Sequence, residues 1–366
     1  MPAAKVALVH EWLTGGPDGA SRILRVLADV FPDAPIHVFA VDSASSSWID
    51  PGRLRPSIIQ GLTERLGYRR QLLLPLMPTA VRSMNLSGYD LVISISTAFA
   101  KNVTVPGAPH LCYCCSPMRF AWDWYPRYLD ERGLRGPLRW LTAWQLARLR
   151  RWDLRGSREV DRFVAISHHV RQRIQRYYDR DADVLYPPVE VDRLSQLAPP
   201  DPNLPYLCLS RLSPYKRVDL AIKACCQSGR RLLVGGSGGD LGRLRRIACP
   251  DVEFLGFVPD QDLAATYARA KALIFAGEED FGLVMVEAMA AGRPVVALGR
   301  GGATETVISG VTGELFEEES AAALVGALDR LEEGFFDVAA LRTQASRFST
   351  AAFVAGLSQI LGELSP

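Results

Sequence analysis

The segment from Glu279 to Glu287 reads E-D-F-G-L-V-M-V-E and follows the apolar run A-L-I-F-A. That is the pattern of a buried strand, an acidic turn with one glycine, and the opening of a helix. With the helix starting near Gly282, Glu279 lies in the loop before it and Glu287 falls about a turn and a half inside. The backbone N–H groups of Phe281, Gly282 and Leu283 then stand at the positive end of the helix, where no intrahelical acceptor serves them. Such amides hold an anion, and neighbouring carboxylates hold hydroxyl groups. A sugar linked to a nucleoside diphosphate offers both. The plainer alternative is an acidic helix start favoured by the dipole alone. It leaves out Glu287, an acid on the otherwise apolar helix V-M-V-E-A-M-A-A. A buried carboxylate is costly without partners, and a ribose diol is one.

A second constellation is R-L-S-P-Y-K, which brings Arg211 and Lys216 directly after a strand ending at Ser210. Lys216 is expected to open the following helix. An Arg fork and a Lys point charge five residues apart can embrace a diphosphate and stabilise its charge as it departs. Two solvated charges at a strand–helix turn are the alternative. The glycines Gly235, Gly236, Gly238 and Gly239 let backbone approach a ligand closely. They miss the dinucleotide fingerprint, because Leu241 stands where its third glycine belongs, and His10-Glu11-Trp12 follows the first strand. A nicotinamide or flavin enzyme is disfavoured. Asp181-Ala182-Asp183 spells the D-x-D of metal-dependent transferases but precedes a strand, the wrong end for a nucleotide. No metal is expected if Arg211 and Lys216 neutralise the diphosphate.

These groups need a frame that carries strand ends to one place. Short apolar strands are expected at 6–10, 36–40, 91–95, 110–114, 163–166 and 183–186. A second series follows at 206–210, 231–235, 252–255, 272–276 and 294–298. Helical stretches separate them, among them 20–30, a helix capped by Ser167, 216–226, 241–248, 261–270 and 282–291. Strands alternating with helices imply parallel sheets with crossover helices. At 366 residues, two such domains are the better expectation. The boundary is set at Pro187-Pro188, giving domains 1–187 and 188–366, with the last helix packing back on the first. Ligands bind beyond the carboxyl ends of such strands, so the expected site is a cleft between the domains.

The net charge of +2 hides an asymmetry: residues 1–186 carry +8 and the remainder −6. A basic amino-terminal half suits an anionic partner. Within it, residues 134–155 interleave Arg135, Arg139, Arg148, Arg150, Arg151 and Arg155 with Trp140, Trp144 and Trp152. A helix of this type buries its indoles at a lipid interface while its arginines meet lipid phosphates; a core-packing helix with a solvated edge is the alternative. The stretch Tyr68-Arg69-Arg70 with Leu72 to Met77 reads the same two ways. No apolar run approaches the roughly 20 residues that cross a bilayer, and residues 1–9 read as a strand, not a leader. The seven cysteines, mostly in apolar patterns, suit buried thiols in a reducing cytoplasm, and none has zinc spacing.

Together these pieces resemble the retaining glycosyltransferases of family 4, which have the GT-B fold of two Rossmann-like domains. The residues carrying the resemblance are S-R-L-S-P-Y-K-R-V-D-L-A-I (210–222), G-F-V-P (256–259), E-D-F-G-L-V-M-V-E-A-M-A-A-G-R-P-V-V-A (279–297) and G-G-A-T-E-T-V (301–307). H-E-W-L-T-G-G near the start and L-C-Y-C-C-S-P-M-R-F-A-W-D (111–123) are similar to bacterial mannosyltransferases that build polysaccharide units from GDP-mannose. The resemblance implies that Arg211 and Lys216 bind the donor diphosphate and that Glu279 holds donor-sugar hydroxyls beside the amides of Phe281, Gly282 and Leu283. Glu287 would take the ribose hydroxyls and Val258 the base through its backbone. Gly15 and Gly16 would line the cleft from the first domain, with Cys115 and Arg119 as further cleft or acceptor positions.

It also implies a polyprenyl diphosphate-linked saccharide acceptor, an anionic membrane surface, no nucleic acid, and a place at the cytoplasmic face of the cell membrane. A UDP-sugar donor is the nearest rival, since the base is met largely through backbone. Two departures stand out. Gly16 is followed by Pro-Asp-Gly-Ala-Ser and not by Ala-Glu, and Cys115 occupies a position where related proteins commonly carry His. A thiol does not replace that imidazole, so a GT-B-like binding protein with weak or no transfer is the other alternative.

Overall fold

The computed structural model describes residues 5–14, 18–67, 70–123, 125, 129 and 135–364. The chain divides into two compact units, residues 1–185 with 357–366, and residues 186–356.

The first unit is a seven-stranded sheet built from β1 (Val6–Leu13), β2 (Ile36–Val41), β3 (Leu54–Pro56), β4 (Leu91–Ser96), β5 (His110–Cys114), β6 (Arg162–Ala165) and β7 (Asp183–Val184). Its order is β3-β2-β1-β4-β5-β6-β7, and every pairing is parallel. Helices cover both faces of such a sheet, so its central strands read as continuous apolar runs; β1 is buried along its whole length. The helix Gly19–Val30 starts at Asp18, whose carboxylate accepts from the Ser21 amide at 2.8 Å while the Ser21 hydroxyl accepts from the Asp18 amide at 2.7 Å. Ser167 caps the helix His168–Tyr178 by accepting from the Val170 amide at 3.1 Å.

Strand β1 also carries a buried acid, Glu11. Its Oε1 accepts from the amides of Thr97 (2.9 Å), Ala98 (2.6 Å), Phe99 (2.6 Å) and Ala100 (3.1 Å), just past the end of β4. Its Oε2 accepts from the Thr97 hydroxyl at 2.6 Å. Behind this turn the Lys101 ammonium and Asp153 form a fully buried ion pair. Trp122 Nε1 (2.9 Å) and the Tyr178 hydroxyl (2.8 Å) donate to the other Asp153 oxygen, fixing the helix Gly136–Ser157.

The second unit is a six-stranded parallel sheet of β8 (Tyr206–Leu209), β9 (Leu232–Gly235), β10 (Val252–Gly256), β11 (Ala272–Phe275), β12 (Val295–Leu298) and β13 (Gly313–Phe316), in the order β10-β9-β8-β11-β12-β13. Tyr206, Leu232, Ile274, Val296 and Leu328 sit in its core.

Four sequence expectations change. Lys216 does not open a helix: it ends a 3₁₀ turn, Pro214–Lys216, and the helix Val218–Gln227 begins only after Arg217, which is left-handed at φ 53°. Cys226 and Cys249 form a disulfide, so the cysteines are not all thiols. Cys225 and Cys226 are adjacent on one helix, about 100° apart around its axis; Cys225 enters the core and Cys226 faces Cys249. The apolar stretch after Arg70 contributes Leu73 and Met77 to the core of the first sheet, which favours its role as a cover over the sheet; Tyr68 and Arg69 lie outside the described residues. The short strands β3 and β13, absent from the sequence expectation, complete the two sheets.

Candidate active site

In the second sheet the strand order reverses between β8 and β11, whose crossovers run to opposite sides. In a doubly wound sheet the loops beyond such a pair part, leaving a crevice at the carboxyl ends. The two segments flanking it are 210–217 after β8 and 276–282 after β11. The chemistry-bearing residues singled out by sequence therefore stand on both sides of one switch point.

They touch. Lys216 Nζ lies 2.6 Å from Glu279 Oε1, with side-chain exposures of 16% and 15%. Partial burial strengthens such a pair relative to a surface one. The ammonium also lies 5.4 Å from the Tyr215 ring centroid and 5.9 Å from that of Phe275, within cation–π reach. Arg211 is exposed at the same turn. Glu279 is fixed through its backbone, because its carbonyl accepts from the Gly302 amide at 2.8 Å, beyond β12.

The helix on the β11 side runs Leu283–Ala290, with Gly282 as its N-cap at φ 85°. That positive φ strains any residue with a Cβ, so glycine suits this entry. Phe281 is buried, its ring 5.7 Å from Tyr186 and 5.4 Å from Phe348; its amide, not its side chain, is what the site can use. Leu283 is half-buried. Glu287 is buried within the helix, and its Oε2 accepts from the Tyr267 hydroxyl at 2.9 Å. Sequence reasoning missed that partner, which stands 20 residues earlier and carries no local signal.

Val258 follows β10, half-buried, on the same edge of the sheet. Two of the glycines after β9 have a use in the fold that the sequence does not suggest. A Cβ on Gly236 would meet the Ser210 carbonyl at 1.8 Å, and one on Gly238 the Leu212 carbonyl at 2.1 Å. They let this loop lie against the 210–216 turn and so support it.

In the first unit, Cys115 is buried directly after β5 and Arg119 is half-buried in the turn beyond. Gly15 and Gly16 lie outside the described residues. His110, at the other end of β5, is bonded to the Ser94 hydroxyl at 2.8 Å, and burial holds its imidazole down at about 4. The D-x-D carboxylates are engaged elsewhere: Asp181 pairs with Arg171 at 2.9 Å and Asp183 with Arg162 at 2.6 Å. Among the described residues no cluster of His, Cys, Asp and Glu is arranged to hold a metal ion.

Residues 192–347, all within the second unit, match the family model for glycosyl transferases group 1. This segment is a group 1 glycosyltransferase domain. Curated relatives of the chain include a GDP-mannose-dependent alpha-(1-6)-phosphatidylinositol monomannoside mannosyltransferase from Mycolicibacterium smegmatis, 30% identical over 52% of this chain and 58% of that one. A D-inositol 3-phosphate glycosyltransferase from Nocardia farcinica is 32% identical over 47% of each. The chain spans about half the length of the curated relatives it matches. Among solved structures, Anabaena HepE in complex with UDP is 20% identical with a TM-score of 0.70, over 98% of this chain and 100% of that one. Sucrose-phosphate synthase from Thermosynechococcus elongatus reaches 0.73 at 18% identity, over 98% and 99%. At such identities the likeness establishes the fold, which is GT-B, with the group 1 domain as its second sheet.

Proposed function

We propose that this chain is a retaining glycosyltransferase that moves a hexose, mannose from GDP-mannose, to a polyprenyl diphosphate-linked saccharide in bacterial polysaccharide biosynthesis. The observation that carries the reading is the Lys216–Glu279 pair at the switch point of the group 1 domain, with Arg211 exposed in the same loop after β8. Residues 188–366 bind the donor and residues 1–187 the acceptor. Arg211 and Lys216 bind the diphosphate, Glu279 and the amides of Phe281, Gly282 and Leu283 hold the sugar, and Glu287 and Val258 hold the nucleoside.

As the anomeric carbon–oxygen bond stretches toward an oxocarbenium-like state, negative charge gathers on the departing diphosphate, and the two cations offset it. The acceptor hydroxyl then attacks from the same face, passing its proton to the departing diphosphate oxygen, and exclusion of water protects the cation-like stage from hydrolysis. The cations supply what a metal would supply elsewhere, so the reaction runs without one.

The acceptor's lipid places the enzyme against the inner face of the cell membrane. On the helix Gly136–Ser157, Trp140, Leu141 and Trp144 are exposed, and Arg148, Arg151 and Arg155 continue the same stripe. Arg148 lies 4.8 Å over the Trp144 ring. Indoles in the interface with arginines at lipid phosphates suit an anionic bilayer. Among the described residues no helix is long and apolar enough to cross a membrane.

Release of GDP from GDP-mannose only with a lipid-linked acceptor, giving a product of unchanged anomeric configuration, is the expected result; inversion or indifference to acceptor rejects it. A UDP-sugar donor is the second reading, favoured by the structure of HepE with UDP-glucose. A thermal shift larger with UDP than with GDP would select it. Binding of nucleotide without turnover of any sugar donor would select a non-transferring binder, for which Cys115 is the argument.

A further inference from the structure

Two described residues other than glycine hold a left-handed backbone, Asp179 at φ 52° and Arg217 at φ 53°. Asp179 closes the helix His168–Tyr178, a place where short polar side chains adopt this conformation readily. Arg217 has a long side chain and stands directly after Lys216, between the 3₁₀ turn and the helix Val218–Gln227. A residue in such a conformation persists only where its surroundings hold it.

What holds it is a chain of charges. Its Nη1 pairs with Glu319, just beyond β13, and its Nε lies 3.4 Å from Asp219 Oδ1. Glu319 in turn lies 3.4 Å from Arg300. Arg300 adjoins Gly301 and Gly302, which bridge the backbone of Glu279. The sequence of contacts Asp219–Arg217–Glu319–Arg300 therefore starts beside Lys216 and ends beside the backbone partner of Glu279. It spans the loops after β8, β12 and β13.

We propose that Arg217 is a positioning residue for Lys216. Clamped by Glu319, its left-handed backbone ends the 3₁₀ turn and points the Lys216 ammonium at Glu279 and at the donor diphosphate, instead of letting Lys216 join the helix. The inference rests on the reading of Lys216 as a diphosphate ligand.

The test compares the affinities of GDP and UDP, by calorimetry, with those of guanosine and uridine, by ligand-observed NMR. Wild type is set against K216A, R217A, R217G, E319Q and K216A/R217A, all on the full chain. R217A and E319Q should weaken the better nucleoside diphosphate by about tenfold and leave the matching nucleoside within about twofold. The double variant should bind no more weakly than K216A, because both act through one ammonium. Glycine at 217 accepts the backbone without strain but lacks the guanidinium, so R217G should lose affinity as R217A does. Equal losses for nucleoside and diphosphate, or wild-type affinity in R217G, overturn the proposal while the donor-site reading stands. If R217A does not fold, R217G and E319Q decide together, since one removes the guanidinium and the other the charge that clamps it. Unchanged GDP and UDP affinity in K216A, or a wild type that binds neither, overturns the reading of Lys216 and this proposal with it.

Discussion

The two sheets have the same switch-point topology and finish it in opposite ways. Between β1 and β4, the protein's own Glu11 fills the turn, with four amides and the hydroxyls of Ser96 and Thr97 closed around one buried carboxylate. Between β8 and β11 the corresponding groups are cations and an acid left partly open, Arg211, Lys216 and Glu279. A nest of backbone amides attracts an anion wherever it forms. Where the chain supplies that anion the turn becomes a structural joint, and where it presents partly exposed charge the turn stays available to a ligand.

The strongest test of this contrast is to remove its most active member. Lys216→Ala is expected to lower sugar transfer by about 10²–10³-fold, the usual cost of one preorganised group stabilising a departing charge. Stability, followed by denaturant unfolding, should change little. Arg211→Ala should cost turnover more than donor affinity, and a loss confined to affinity would deny it a transition-state role.

In the first sheet the pattern should invert. Glu11→Ala strands several buried amides, so a loss of about 3 kcal/mol in unfolding free energy is expected, with GDP affinity unchanged. A drop in GDP affinity without a drop in stability would erase the distinction between the two turns.

Acid sharpens it further. The His110 imidazole is held at about 4 by burial, below its ordinary value of 6.5. The unfolded chain therefore takes a proton below pH 6.5 that the folded chain refuses until about pH 4. This contribution is complete above pH 6.5 and declines as the pH falls through that window, by about 2 kcal/mol at pH 5. His110→Asn should flatten the pH dependence of stability between pH 6.5 and 5 relative to wild type; an identical slope would deny His110 this part.

The smallest effect belongs to Tyr267→Phe, which removes one hydrogen bond from Glu287 and should cost about 1 kcal/mol by thermal unfolding. If Glu287 holds the ribose, Glu287→Ala should weaken guanosine far more than Tyr267→Phe does.

Much of this was legible because parallel strands announce themselves. Buried on both faces, V-A-L-V and A-L-I-F read as apolar runs, and the spacing from Glu279 to Glu287 places its own helix. What escaped lacks a local signal. Leu54–Pro56 is three residues long with a proline, and Gly313–Phe316 opens on glycine and glutamate, so neither resembles a strand. Nothing in Y-K-R-V-D marks the left-handed break at Arg217, because the clamp that holds it comes from Glu319, 102 residues away. Glycines 236 and 238 were read for a ligand when their neighbour is the next turn, a matter of tertiary contact that spacing does not encode.

The cross-link from Cys226 to Cys249 ties the end of the helix after Arg217 to the entrance of β10, the outermost strand on Val258's side. Material made in a host that keeps sulfhydryls apart will carry the same amino acids with that border unfastened. Residues 227–248 are then no longer closed into a covalent loop, and batches prepared with and without reductant are two preparations, not one.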